Sequence, residues 1–254
     1  MKITLLGTGT SQGVPVIACT CPVCQSGDSR DKRLRSSVLV QTEGISIVID
    51  AGPDFRQQML FTKTTMLDAI LFTHEHKDHV AGLDDVRAFN FVLQRPMDIY
   101  AEERVHDTIK QEFAYIFAER KYPGIPEIRS HYIENNPFNV NGLQVIPVRA
   151  FHYKLPVFGY RIGDFGYLTD ANHISPEERD KFRGLDTLVV TALRKKPHIS
   201  HFNVEEALAL IDDLKPKQAY LTHISHQMGL HALVDKELPD GVNLGYDGLE
   251  IIIG

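Results

Sequence analysis

Four ligand-type side chains within six residues constrain this chain more than any other feature. His74-Glu75-His76-Lys77-Asp78-His79 follows directly on the short apolar run Asp68–Phe72. Such a run reads as a buried β-strand, and imidazoles and a carboxylate released at its end cannot enter a core without partners. Alternation along extended backbone sends His74, His76 and Asp78 to one side, and a turn brings His79 beside Asp78. Neutral imidazoles with a carboxylate suit zinc and similar divalent ions. A solvated polar loop accounts for one or two such residues but poorly for four at this spacing.

Further ligands stand where other strands run out. His152 follows the strand Leu143–Val148, Asp170 ends Tyr167-Leu168-Thr169, and His223 ends Ala219-Tyr220-Leu221-Thr222. Taken alone, each is an ordinary surface or hydrogen-bonded residue; beside the histidine run, each becomes a candidate ligand. Strands are also expected at Lys2–Leu6, Ser37–Gln41, Ile45–Ile49, Phe158–Ile162, Phe165–Leu168, Leu185–Thr191 and Leu249–Ile253. Helical spacing runs through Ala81–Leu93 and Glu103–Ala118. Two more helices are expected, one after Ser175 as N-cap with Pro176 at its first position and acids in its first turn, the other over Asn203–Leu214 capped by Asn203. Strand-rich stretches followed by helices in both halves predict two packed sheets flanked by helices, an α/β sandwich in one domain spanning 1–254. The segment 102–139, Pro-, Asn- and Gly-rich toward its end, is expected to be a flap insertion.

Composition narrows the function. With 27 Lys and Arg against 33 Asp and Glu, the formal net charge is −6, so strong general nucleic-acid binding is not expected. No apolar stretch approaches the ~18 residues needed to cross a bilayer. The opening Met1–Leu6 is too short for a secretory core. The expected location is therefore the cytoplasm. All three cysteines lie in Cys19-Thr20-Cys21-Pro22-Val23-Cys24. An odd number in that compartment argues against a disulfide framework and leaves metal ligation, redox work or free thiols open.

The run His74-x-His76-x-Asp78-His79 with His152, Asp170 and His223 resembles the ligand set of the metallo-β-lactamase superfamily, and Asp50-Ala51-Gly52 matches its early acid. The resemblance spans essentially the whole chain and implies a four-layer αββα sandwich with two catalytic divalent metals, zinc or manganese, at one edge. On that pattern His74, His76 and His152 hold one metal, Asp78, His79 and His223 the other, and Asp170 bridges them. Within the superfamily the chain resembles the PhnP-like cyclic phosphodiesterases. The residues carrying this likeness are the cysteine run, Leu221-Thr222-His223-Ile224-Ser225-His226-Gln227 and Tyr246-Asp247-Gly248-Leu249-Glu250-Ile251. It implies one structural zinc held by Cys19, Cys21, Cys24 and His226. It also implies that His201 donates to a phosphate oxygen or protonates the leaving group, with Asp78 orienting the nucleophile.

The expected activity is hydrolysis of a small or cyclic nucleotide-like phosphodiester. The alternatives are a tRNA 3′-processing nuclease, a lactone or thioester hydrolase on the same fold and, least favoured, a non-enzymatic metal-binding module. The expected partner is a small phosphodiester rather than a membrane, and a homodimer is compatible with this reading. Lys77 is expected to place a cation near the phosphate.

Overall fold

The computed structural model describes residues 1–120 and 123–254. Both halves of the chain follow one plan. In the first, β1 (Lys2–Gly7), β2 (Ser37–Thr42) and β3 (Ile45–Ile49) form an antiparallel meander. The chain then crosses over through α1 (Phe55–Thr62) to β4 (Ala69–Leu71). It continues through α2 (Lys77–Val80) and α3 (Arg87–Leu93) to β5 (Met97–Ala101), and through α4 (Glu103–Glu112) and α5 (Ala114–Phe117) to β6 (Ile128–Tyr132). These three strands extend the sheet in parallel from β3, as helical crossovers require.

The second half begins with β7 (Phe138–Val140), which pairs antiparallel with β8 (Leu143–His152). The latter starts the second meander with β9 (Leu155–Ile162) and β10 (Phe165–Leu168). Three parallel strands follow: α6 (Pro176–Asp180) leads to β11 (Thr187–Thr191), α7 (Val204–Leu214) to β12 (Gln218–Thr222), and α8 (His231–Val234) to β13 (Val242–Leu244). The last strand, β14 (Glu250–Ile252), returns to pair with β1. The result is two seven-stranded sheets, ordered β14-β1-β2-β3-β4-β5-β6 and β13-β12-β11-β10-β9-β8-β7.

Period-two alternation assigns the faces. Val38, Val40, Ile47 and Ile49 meet Phe158, Tyr160, Phe165, Tyr167 and Val189 between the sheets. The intervening Leu39 and Val48 pack outward on Phe55 and Met59 of α1, Phe89 of α3 and Val105 and Ile109 of α4. On the other side Leu188, Val190, Ala219 and Leu221 pack on Ala207, Leu210, Ile211 and Leu214 of α7. This is the four-layer αββα sandwich expected from the sequence.

Several expected elements are shorter or divided. The helix expected over 81–93 opens as a 3₁₀ turn, Leu83–Val86, before α3. The one expected over 103–118 breaks at Phe113, whose φ of −114° and ψ of 41° separate α4 from α5. Strands β5, β6, β7 and β13 lie outside the expected strands. Among its described residues, the segment 102–139 does not stand off as a flap: α4 packs on the first sheet and β6 forms that sheet's edge. No helix of the described residues is long and apolar enough to cross a membrane.

Candidate metal centre

Strand ends build the site. Asp50 leaves β3, His74 and His76 follow β4, His152 is the last residue of β8, Asp170 leaves β10 and His223 leaves β12. Asp50, Asp170 and His223 take left-handed backbone, with φ of 67°, 49° and 56°. Asp and His tolerate this region better than most non-glycine residues, and a non-glycine held there is a recurrent mark of functional sites. Extended backbone carries the motif only as far as His76; Lys77–Val80 is α2, so one helical turn, rather than alternation, places Asp78 and His79. That turn lies hard against the strand-end loop after β3. A Cβ on Gly52 would stand 2.0 Å from the Asp78 carbonyl oxygen, and one on Gly82 2.0 Å from that of Gly52, which is why glycine occupies both positions.

The candidate ligands converge. One ligand atom from each of Asp78, His79, Asp170 and His223 falls within 4.8 Å of the others, and His152, Asp170 and His201 form a second such group. Asp170 is common to both. His79 Nε2 lies 3.2 Å from Asp78 Oδ2 and 3.2 Å from Asp170 Oδ2. His223 Nδ1 lies 3.0 Å from Asp170 Oδ2, and His201 Nδ1 3.8 Å from Asp170 Oδ1. His74 and His76 meet edge to face at 4.6 Å between ring centroids, and His76 is 5.2 Å from His152. The tight group around His152 thus contains His201, while His74 and His76 adjoin it through their rings.

Outer partners aim several of these rings. Asp50 Oδ2 sits 2.7 Å from His79 Nδ1, while its other oxygen accepts from the Thr73 backbone N–H at 2.8 Å. Thr73 Oγ1 reaches both Asp50 Oδ2 at 2.8 Å and His74 Nδ1 at 2.9 Å. The Ser200 carbonyl fixes His152 Nδ1 at 2.7 Å, and Thr169 Oγ1 donates to Asp170 Oδ2 at 2.7 Å. This pattern leaves the opposite nitrogen of His79, His74 and His152 free to ligate.

The residues fit divalent ions on two counts. His74 Nε2, His79 Nε2 and His201 Nδ1 are buried and make no hydrogen bond, although His79 Nε2 is close to two carboxylates; such atoms are costly unless something satisfies them. Asp50, Asp78 and Asp170 also pair only with histidines, with no Lys or Arg among the described ion pairs. Burial favours neutral His74, pushing its pKa well below the ordinary value. Burial likewise lowers His201 to about 3, and His223 adds to the effect. For His79 burial acts the same way but loses to Asp78, Asp170 and Asp50, which hold it well above the ordinary imidazole range. Asp170 stays well below the carboxylate range because His223 and His79 overcome its burial. The three acids therefore set up a field that calls for a buried cation.

A second cluster lies beside the first. Cys19, Cys21 and Cys24 Sγ stand 3.3, 3.4 and 3.7 Å from His226 Nδ1. Tetrahedral Zn–S and Zn–N bonds imply S···N edges of ~3.5 Å, so the set has the dimensions of a closed Cys₃His site. His226 is three residues beyond His223, so the cysteine loop packs against the edge where the first cluster sits.

Some expectations fail. Lys77 does not face the site; it pairs with Glu112 of α4 at 2.6 Å. His106 and His131 contact backbone and Asp98, and His231 contacts Arg33, as structural histidines do. Three polar residues at the site stand outside the set expected from sequence: Thr10, Ser36 and Asn172. Thr10 and Ser36 hydroxyls flank His223 at 3.2 Å each, and no spacing signals them. Asn172 carries a weak signal, since it lies two residues beyond Asp170.

Comparison with known proteins places this architecture. A Beta-lactamase superfamily domain model matches residues 46–224. The chain belongs to that superfamily. More particularly, it is similar to a crystallised diphosphatase from the PhnP family, with 39% identity, a TM-score of 0.93, and 100% of this chain and 98% of that one covered. A protein from Porphyromonas gingivalis named octanoyltransferase is 43% identical over 256 residues, covering 100% of this chain and 52% of that protein. Coenzyme PQQ synthesis protein B of Xanthomonas oryzae is 30% identical over 172 residues, covering 62% of this chain and 54% of that protein. The chain thus spans about half the length of the curated relatives it matches.

Proposed function

We propose that the chain is a dinuclear metal-dependent phosphodiesterase acting on a small or cyclic nucleotide-like diester. The observation that carries the reading is His201: a buried imidazole in one tight group with His152 and the shared Asp170, in a chain 39% identical throughout to a PhnP-family diphosphatase. His74, His76 and His152 would hold one metal, Asp78, His79 and His223 the other, with Asp170 between them; zinc and manganese both suit these donors. Bound there, the pair supplies Lewis acidity and lowers the pKa of water to about 7. The remaining work falls to the chain. Asp50 and Thr73 hold His79 and His74 in one orientation. Asp78, on the first turn of α2, orients the attacking water. His201 presents an imidazole nitrogen to a phosphoryl or leaving-group oxygen at the site's edge. Cys19, Cys21, Cys24 and His226 would hold a structural zinc. The net charge of −6 fits a small substrate better than a long nucleic acid.

The test is hydrolysis of 2′,3′-cyclic AMP by metal-reconstituted protein, alongside Asp170→Ala and His201→Ala. Turnover is expected in the unaltered protein. It should vanish in Asp170→Ala with loss of bound metal, and fall about 10²–10⁴-fold in His201→Ala with metal retained. Metal loss in His201→Ala would instead make His201 a ligand. A second reading, hydrolysis of an acyl thioester, is favoured by one finding: the full-length match to half of a protein named octanoyltransferase. Cleavage of octanoyl thioesters without cleavage of any diester would replace the first reading with the second.

A further inference from the structure

The turn joining β8 to β9 has two residues, Tyr153 and Lys154, between the paired His152 and Leu155. Tyr153 sits there with a φ of 59°. Tight hairpins favour Gly, Asn or Asp at such a position, and for a bulky side chain positive φ is an outlier that signals a constraint. The ring gains no burial in exchange, since Tyr153 is 53% exposed. What it gains is position: it directly follows His152.

Asn172 ties this turn to the loop bearing His201. Its Oδ1 accepts from the Tyr153 backbone N–H at 2.7 Å, and its Nδ2 donates to the Ile199 carbonyl at 2.9 Å. Its own backbone N–H donates to the Phe151 carbonyl at 2.9 Å. Ile199, two residues before His201, is 69% exposed. One side-chain amide thus ties the backbone of Tyr153 to that of Ile199, two exposed residues each within two positions of a candidate site histidine. Lys154 Nζ lies 5.4 Å from the Tyr153 ring centroid, so a cation accompanies the exposed ring.

We propose that Tyr153, whose turn Asn172 ties to the loop bearing Ile199 and His201, is a specificity residue that stacks on a planar nucleobase or aryl group of the substrate. This rests on the phosphodiesterase reading, and it names the non-phosphate half of the substrate. A planar ring fits the occupant better than an alkyl chain, because a strained aromatic is needed only if its flat face is used; Ile or Leu would serve a chain equally well.

The test compares 2′,3′-cyclic AMP with 1,2-cyclic glycerol phosphate, which lacks a base. In Tyr153→Ala the ratio of their kcat/KM values should fall about tenfold, the range for loss of one base-aromatic stack, and Tyr153→Phe should restore it. Binding of adenosine 3′-monophosphate to the metal-loaded protein, measured by calorimetry, should weaken about tenfold in Tyr153→Ala. Asn172→Ala should weaken it in the same direction. Tyr153→Gly should raise Tm by about 2 °C, as relief of backbone strain predicts. Unchanged selectivity and unchanged nucleotide affinity in Tyr153→Ala would overturn the proposal. If the protein cleaves neither diester, the phosphodiesterase reading fails, while the calorimetry still decides whether Tyr153 recognises a base.

Discussion

Asp50 illustrates how much of this site depends on residues that need touch no metal. Its two oxygens engage the Thr73 backbone, the Thr73 hydroxyl and His79 Nδ1. Burial pushes its pKa up, and the contact with His79 opposes that push. Losing it would free the His79 ring to rotate away from Asp78 and Asp170. Asp50→Ala is therefore expected to lower metal affinity by about 10–100-fold, measurable by competition with a chromogenic chelator. Unchanged affinity would mean that packing alone holds the ring. His201 and Asp170, whose variants are treated above, differ in kind. Asp170 belongs to both ligand groups, so on the proposed reading its loss should remove metal, whereas loss of His201, a member of one group only, should remove rate.

At the scale of elements, the turn from β4 into α2 is positioned by the loop after β3. The Gly82 N–H donates to the Ala51 carbonyl at 2.9 Å, and Gly52 leaves no space for a side chain beneath Asp78. Gly52→Ala should push α2 off this contact at a cost of about 1–3 kcal/mol, the range for overpacking a filled site. Thermal melts would register that cost, and metal analysis should show the site holding Asp78, His79 and His223 depleted first. A fully metallated, unshifted Gly52→Ala would show that the loop can yield. Helix α7 is the contrasting case, since its start is local: Asn203 accepts from Glu206 N, and Glu206 caps the Asn203 N–H in return.

Across the whole molecule, an ion network ties the two sheets together near the site. Glu102, just after β5, pairs with Arg149 of β8 and with Arg104, and Arg104 also pairs with Glu75 of the histidine run. Burial opposes ionisation of Glu102, but Arg149 and Arg104 overcome it and hold its pKa below the usual value. A depressed carboxylate pKa adds stability above the unfolded value, near 4.3, and loses it as pH falls through the folded value. Glu102→Gln should accordingly flatten the loss of stability below about pH 4, as read by urea midpoints; an unchanged acid limb would remove Glu102 from that role. The cysteine cluster acts on the same scale, closing one loop onto the segment that carries His223. Cys21→Ser is expected to lose one zinc equivalent and lower Tm while the catalytic metals remain. Coincident loss of all metal would show the two clusters to be a single unit.

What the sequence determined by itself is whatever local pattern can encode. Strands Ile45–Ile49 and Phe165–Leu168 are legible to the residue because each is a short apolar run with a clear stop. The candidate ligands were legible for the same reason, as polar groups exported from apolar strand ends. Family resemblance, rather than spacing, singled out His201 and joined His226 to the cysteines. Only the tertiary structure decided the rest. Strand β5 is not legible locally because its pattern, Met97-Asp98-Ile99-Tyr100-Ala101, is interrupted by a buried acid whose partners, Arg129 and His131, arrive from β6 about 30 residues later. The staple through Asn172 joins three loops whose proximity follows from sheet pairing and crossover. No local window contains that information, because the energy that sets it comes from burying faces contributed by distant segments.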